Sequence, residues 1–147
     1  MKLAKIHKLE VAVTKDESRA AICQPYIQDG RAIATDGKIL ASVPIEITEG
    51  EDVEGKRIPL DALKASRKAT MKLIPDCEMT LGDKLCTLPS GASYPVLYPD
   101  VAWLPKVGEI VSAKLTPEDA HFSVTLDVSL LERLCQALGS EKVRLCF

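Results

Sequence analysis

The side chains best suited to chemistry are spread too thinly along this chain to form a catalytic signature. Its two histidines, His7 and His121, lie 114 positions apart, and neither sits beside a nucleophile-elbow serine or a second metal-ligating histidine. Five cysteines, Cys23, Cys77, Cys86, Cys135 and Cys146, are never closer than nine positions. That spacing excludes a C-x-x-C redox pair and paired zinc knuckles, and the set reads as reduced, mostly buried thiols. Asp29-Gly30 and Asp36-Gly37 are single-glycine turns with no helix after them, so no phosphate-cradling glycine loop is present. Glu49, Glu51, Asp52 and Glu54 crowd one short segment. They lack the alternating oxygen donors of a calcium loop, and the segment reads as solvated. The chain is therefore expected to be non-catalytic, with no metal and no cofactor.

The cations carry the stronger functional signal. Lys64, Arg67 and Lys68 stand at i, i+3 and i+4, the spacing that places side chains on one helix face, and Lys72 extends the row by a turn. If residues 2 to 9 are helical, Lys2, Lys5 and Lys8 form a second stripe, with Leu3, Ile6 and Leu9 on another face. Two such stripes could track a phosphate backbone, each neutralised phosphate adding affinity that salt removes. The same lysines also suit a merely wet helix exterior. The placement is local, because 19 Lys+Arg stand against 21 Asp+Glu for a net charge of -2, without the global basic excess of a tail-driven nucleic-acid binder. Residues 1–72 hold 13 basic and 11 acidic side chains and the remainder 6 and 10. Aromatics at 4% argue against a base-stacking platform.

The elements that must position these groups follow from period and punctuation. With 147 residues, 46% of them apolar and 27% charged, the chain has the size and balance of one globular domain. No run approaches the ~18 to 20 apolar residues of a membrane span, and no signal-peptide core is present, so a cytoplasmic protein without a membrane partner is expected. Residues 20–27, 31–35 and 39–47 read as strands joined by the two Asp-Gly turns, a meander. Pro25 and Pro44 mark these strands as edges or bends. Residues 58–69 predict a helix with Pro59 near its start, Asp61 early and basic residues late. Residues 77–89 alternate around Gly82-Asp83-Lys84 as a hairpin, with Met79 and Leu81 opposed to Leu85. Residues 90–105, with Pro95, Pro99 and Pro105, read as an extended connector. Residues 121–126 predict a strand, Val128 to Leu138 a helix capped by Asp127 and ended by Gly139, and Lys142 to Phe147 a closing strand. The expected fold class is α+β, with helices on one face of antiparallel sheet in repeated units of about 1–55 and 56–108 and a partial unit of about 109–147.

The phrase Ala34-Thr35-Asp36-Gly37, followed by Leu40-Ala41, resembles a hairpin typical of the bacterial DNA polymerase sliding-clamp family. Arg57-Ile58-Pro59-Leu60-Asp61-Ala62-Leu63 is similar to the stretch leading into the second helix of a clamp domain. Tyr98-Pro99-Asp100 with Leu104-Pro105 looks like the connector between clamp domains, and Phe122 to Leu145 resembles a further strand, helix, strand unit. The resemblance covers most of the chain and implies a DNA-clamp-like fold whose helices face duplex DNA. It also implies a non-catalytic role as a processivity or repair accessory factor. On that reading Lys64, Arg67, Lys68 and Lys72, with Lys2, Lys5 and Lys8, would touch duplex phosphates. Family members carry three domains per chain and two chains per ring. A chain of this length would close a ring only as a homo-oligomer of several copies meeting through strand edges. The alternative is a clamp-fold module that binds polymerase or repair-protein peptides and does not encircle DNA.

Overall fold

The two Asp-Gly turns organise the first sheet. In a computed structural model, which describes residues 1–69, 76–97 and 127–142, β2 (Tyr26–Gln28), β3 (Arg31–Thr35) and β4 (Leu40–Pro44) form an antiparallel sheet in that order. Asp29 and Gly30 have φ of 51° and 68°, the positive pair whose twist matches that of the strands they join. The second turn is fixed by side chains. Asp36 Oδ1 accepts from the Lys38 and Ile39 amides at 2.8 and 3.0 Å, and Thr35 Oγ1 donates to the Ile39 carbonyl at 2.7 Å. As expected of proline, Pro44 closes an edge strand, and Pro25 immediately precedes the other edge.

β1 (Lys2–Ala4) pairs antiparallel with β5 (Asp76–Glu78), with Leu3 opposite Cys77. The expected hairpin forms as β6 (Thr80–Leu81) and β7 (Leu85–Thr87), with Leu81 opposite Cys86 and not Leu85. The start of the proline-rich stretch also differs from a free connector, since β8 (Ser93–Pro95) adds a third strand to β7. Pro95 is tolerated there because β8 is an edge among the described residues and requires no amide from it. The run at 20–27 is a strand only at its end. Residues Glu17–Ile22 form 3-10 turns, begun by Asp16, whose carboxylate accepts from the Ser18 amide.

The two predicted helices are present. α1 (Leu60–Ala69) starts after Pro59, whose carbonyl accepts from the Leu63 amide at 3.1 Å. It buries Ala62, Leu63 and Ser66 while Asp61, Lys64 and Lys68 remain exposed. α2 (Val128–Leu138) begins at Asp127, which accepts from the Ser129 amide at 2.9 Å, and ends at Gly139 with φ 64°. The Ser140 and Gly139 amides donate to the Cys135 and Gln136 carbonyls, the paired bonds of a Schellman cap.

One buried aliphatic cluster draws Leu3, Leu9, Ile27, Ile58, Leu63 and Cys86 together, with Leu130, Leu134 and Leu138 of α2 packed against it. Each fully buried Leu or Ile contributes about 1.5–3 kcal/mol. The chain is thus α+β, with three small antiparallel sheets and two α-helices among the described residues. No helix among them is long and apolar enough to cross a membrane. Lys72, His121, Cys146, the expected strands at 121–126 and 143–147, and the Tyr98-Pro99-Asp100 and Leu104-Pro105 motifs lie outside the described residues.

Candidate nucleic-acid interface

The N-terminal lysines do not share a helical face. Lys2 lies in β1, and its backbone exchanges hydrogen bonds with Glu46 at 2.7 and 3.0 Å. The alternation of lysine with apolar residues fits period two as well as period three at this length. Exposed Lys2 beside buried Leu3 in a strand with a partner on each edge prevails over a short uncapped helix. The Lys2 ammonium pairs with Glu78 at 3.3 Å. Lys5 is half-buried in the turn after β1, and exposed Lys8 precedes a 3-10 turn at Leu9–Val11. The acidic segment also departs from a purely solvated loop. Glu51 receives the Met1 ammonium at 2.7 and 2.9 Å, and Glu54 accepts from the Asp29 amide at 3.2 Å. Burial would raise the Glu51 carboxyl, but the ammonium and the Thr48 bonds prevail and hold it below the usual range.

The helix that carries the expected row forms as α1, but its three cations stand in different settings and Arg67 leaves the exposed face. Lys64 is exposed and reaches Asp61 one turn earlier at 3.5 Å, a solvated pair of small net value. Lys68 is exposed and makes no ion pair among the described residues. Arg67 turns inward. Its guanidinium pairs with Glu10, both side chains being 16% exposed, and donates to the His7 carbonyl at 3.1 Å. Glu10 Oε2 is buried without a hydrogen-bond partner.

Arg67 has a counterpart on the other helix. Arg133 of α2 donates from Nε and a terminal nitrogen to the Val11 carbonyl at 3.2 and 2.9 Å. It also reaches Asp36 Oδ2 at 2.8 Å. The segment of residues 7–11 is therefore clasped by one arginine from each helix. The Lys8 amide and His7 Nδ1 add bonds to the Ala137 and Leu138 carbonyls at 3.1 and 2.9 Å.

Beyond this clasp opens a cleft of about 630 Å³, in which Lys15, Arg19, Lys38 and Arg133 meet Glu10 and Asp36. Arg19 donates to the Asp36 carbonyl at 2.8 Å, and its guanidinium lies where a Cβ on Gly37 would project. Gly37, at φ 89°, thus serves both the turn and the close approach of the arginine. None of the four cations stands out in the sequence. They come from three separate segments with no shared period, and only the Asp36-Gly37-Lys38 turn is visible there, as a hairpin signal. No group of three or more His, Cys, Asp and Glu side chains that could hold a metal occurs among the described residues. Comparison of the chain with models of protein families, with curated proteins and with solved structures finds no match.

Proposed function

We propose that this chain is a non-catalytic, clamp-like accessory protein that contacts the phosphates of duplex DNA through the exposed face of α1. The observation that carries the reading is the division of that helix. Ala62, Leu63 and Ser66 are buried, while Lys64 and Lys68 project to solvent one turn apart and, among the described residues, Lys64 alone has an ion pair, with Asp61. Arg67 supports this face from behind, because its pair with Glu10 ties α1 to the segment shared with α2. The sequence resemblance to sliding-clamp domains implies that the same helix faces duplex DNA and adds weight to the reading. Interactions of this kind position a protein on the backbone without reading bases.

Fluorescence anisotropy of a labelled duplex, titrated at several salt concentrations, tests it. Lys64→Glu with Lys68→Glu is expected to weaken binding at least tenfold and to flatten the salt slope by about two, one for each phosphate no longer neutralised. Unchanged affinity and slope would remove α1 from the interface.

A second reading, a clamp-fold module for polymerase or repair-protein peptides, is favoured by one feature. Exposed Leu85 stands opposite Pro95, and exposed Leu97 lies two residues further on, beside an edge of β8 that pairs with no strand among the described residues. A row of this kind suits an added strand. Peptide binding by a chain with no DNA affinity would select this reading.

A further inference from the structure

We infer that the cleft between the β3–β4 turn and α2 is a binding site for a phosphate group, carried by a nucleotide or by a nucleic-acid strand. Among the described residues the cations of the cleft outnumber the carboxylates in contact with them, with Asp16 acting on Arg19 and Asp127 on Lys38 only from beyond ion-pair distance. Of the two carboxylates in the cleft, Glu10 is taken by Arg67 and Asp36 by Arg133. Lys15, Arg19 and Lys38 are left without an ion pair among the described residues, all three exposed around one concavity. Like charges gathered in this way repel, and the repulsion is relieved by an anion seated among them.

The donors are also fixed in advance. Arg19 spends one terminal nitrogen on the Asp36 carbonyl and lies across Gly37, which leaves its Nε and second terminal nitrogen without bonds to described residues. Arg133 is anchored by the Val11 carbonyl and Asp36 through Nε and one terminal nitrogen, which leaves the other without a bond to described residues. Anchored guanidinium groups bind oxyanions with less entropy lost than mobile ones. Three cations with no carboxylate in ion-pair contact among the described residues exceed what a single carboxylate would neutralise. They match a phosphate, whose several oxygens can accept from Arg19, Lys15 and Lys38 at once. The site is independent of the proposed DNA-binding face, which rests on α1.

Inorganic pyrophosphate is the probe. Calorimetry and thermal melting of the full chain are expected to show saturable binding and a rise in Tm. Lys15→Gln with Lys38→Gln is expected to abolish both, and Arg19→Gln to weaken binding tenfold or more, with far-ultraviolet circular dichroism reporting that each variant folds. Lys64→Glu with Lys68→Glu should leave pyrophosphate binding intact, which separates failure of this site from failure of the α1 face. Competition then names the source: displacement by mononucleotides alone assigns a soluble nucleotide, and displacement by DNA assigns a strand. The inference is overturned if the folded chain shows no saturable pyrophosphate binding. It is equally overturned if the Lys15/Lys38 variant binds undiminished, or if neither mononucleotides nor DNA displaces the probe.

Discussion

Asp36 uses both carboxylate oxygens for different purposes. Oδ1 closes the β3–β4 turn through the Lys38 and Ile39 amides, and Oδ2 meets Arg133 across 97 positions of sequence. Burial alone would raise its pKa, but the two amides and the guanidinium together prevail and hold it below the ordinary carboxylate range. A carboxyl depressed in the folded state contributes stability that is present above its unfolded value of about 4 and is lost as pH falls through the folded one. Asp36→Asn keeps an acceptor for the turn but loses the charge-assisted bond to Arg133. The expected cost is about 1–2 kcal/mol at neutral pH. In urea melts from pH 7 to pH 3, the gap between wild type and variant should begin to narrow below about pH 4. A gap that stays constant with pH would show that the charge of Asp36 is immaterial.

At the scale of elements, α2 shows how a local stop signal acquires a tertiary duty. Gly139 ends the helix in the left-handed conformation, and a Cβ there would also lie 2.8 Å from the Ile6 carbonyl oxygen and 3.0 Å from its carbon. The obstacle is backbone, so it cannot swing aside as a side chain would. Gly139→Ala is expected to cost about 1–3 kcal/mol from the left-handed strain, with the displacement of residues 6–8 added to it. Chemical denaturation measures the loss. A loss confined to that range would mean that the neighbouring segment shifts freely, and a loss below it would show that the left-handed conformation is not strained.

For the whole molecule, the aliphatic core takes in two of the thiols. Cys77 and Cys86 are buried, and burial pushes the Cys86 thiol up to about 11, against a smaller opposing pull from the Met1 ammonium. Both sulfurs are shut away from solvent, so neither should be labelled by a thiol reagent at pH 8 except through opening of the fold. Cys135 on α2 is half-buried and should react before Cys23, Cys77 and Cys86. Labelling of Cys77 and Cys86 in mild urea, with peptide mass mapping, should accelerate in step with global unfolding. Rapid labelling of both in native buffer would show that the sheets around them open separately.

Much of the fold is legible in the sequence. The Asp-Gly turns, the bounds of α2 with Asp127 and Gly139 as its ends, α1 after Pro59 and the hairpin around Gly82-Asp83-Lys84 all rest on bonds between residues a few positions apart. Such bonds depend on residue type and spacing alone. A helical reading of residues 2–9 fails because the lysines there satisfy two periods, and only the partners β5 and Glu46 select the strand. The candidate site is half legible. The spacing of Lys64 and Lys68 declares a shared face, but nothing in the spacing reveals that Arg67 between them is claimed by Glu10, 57 positions away. The cationic cleft is not legible at all, since Lys15, Arg19, Lys38 and Arg133 become neighbours only when the β3–β4 turn, the N-terminal segment and α2 pack together. The sequence by itself therefore determined the local elements and their outward charges. Tertiary structure decided which of those charges are neutralised and which converge, because a Coulomb interaction depends on distance in space and not on separation along the chain.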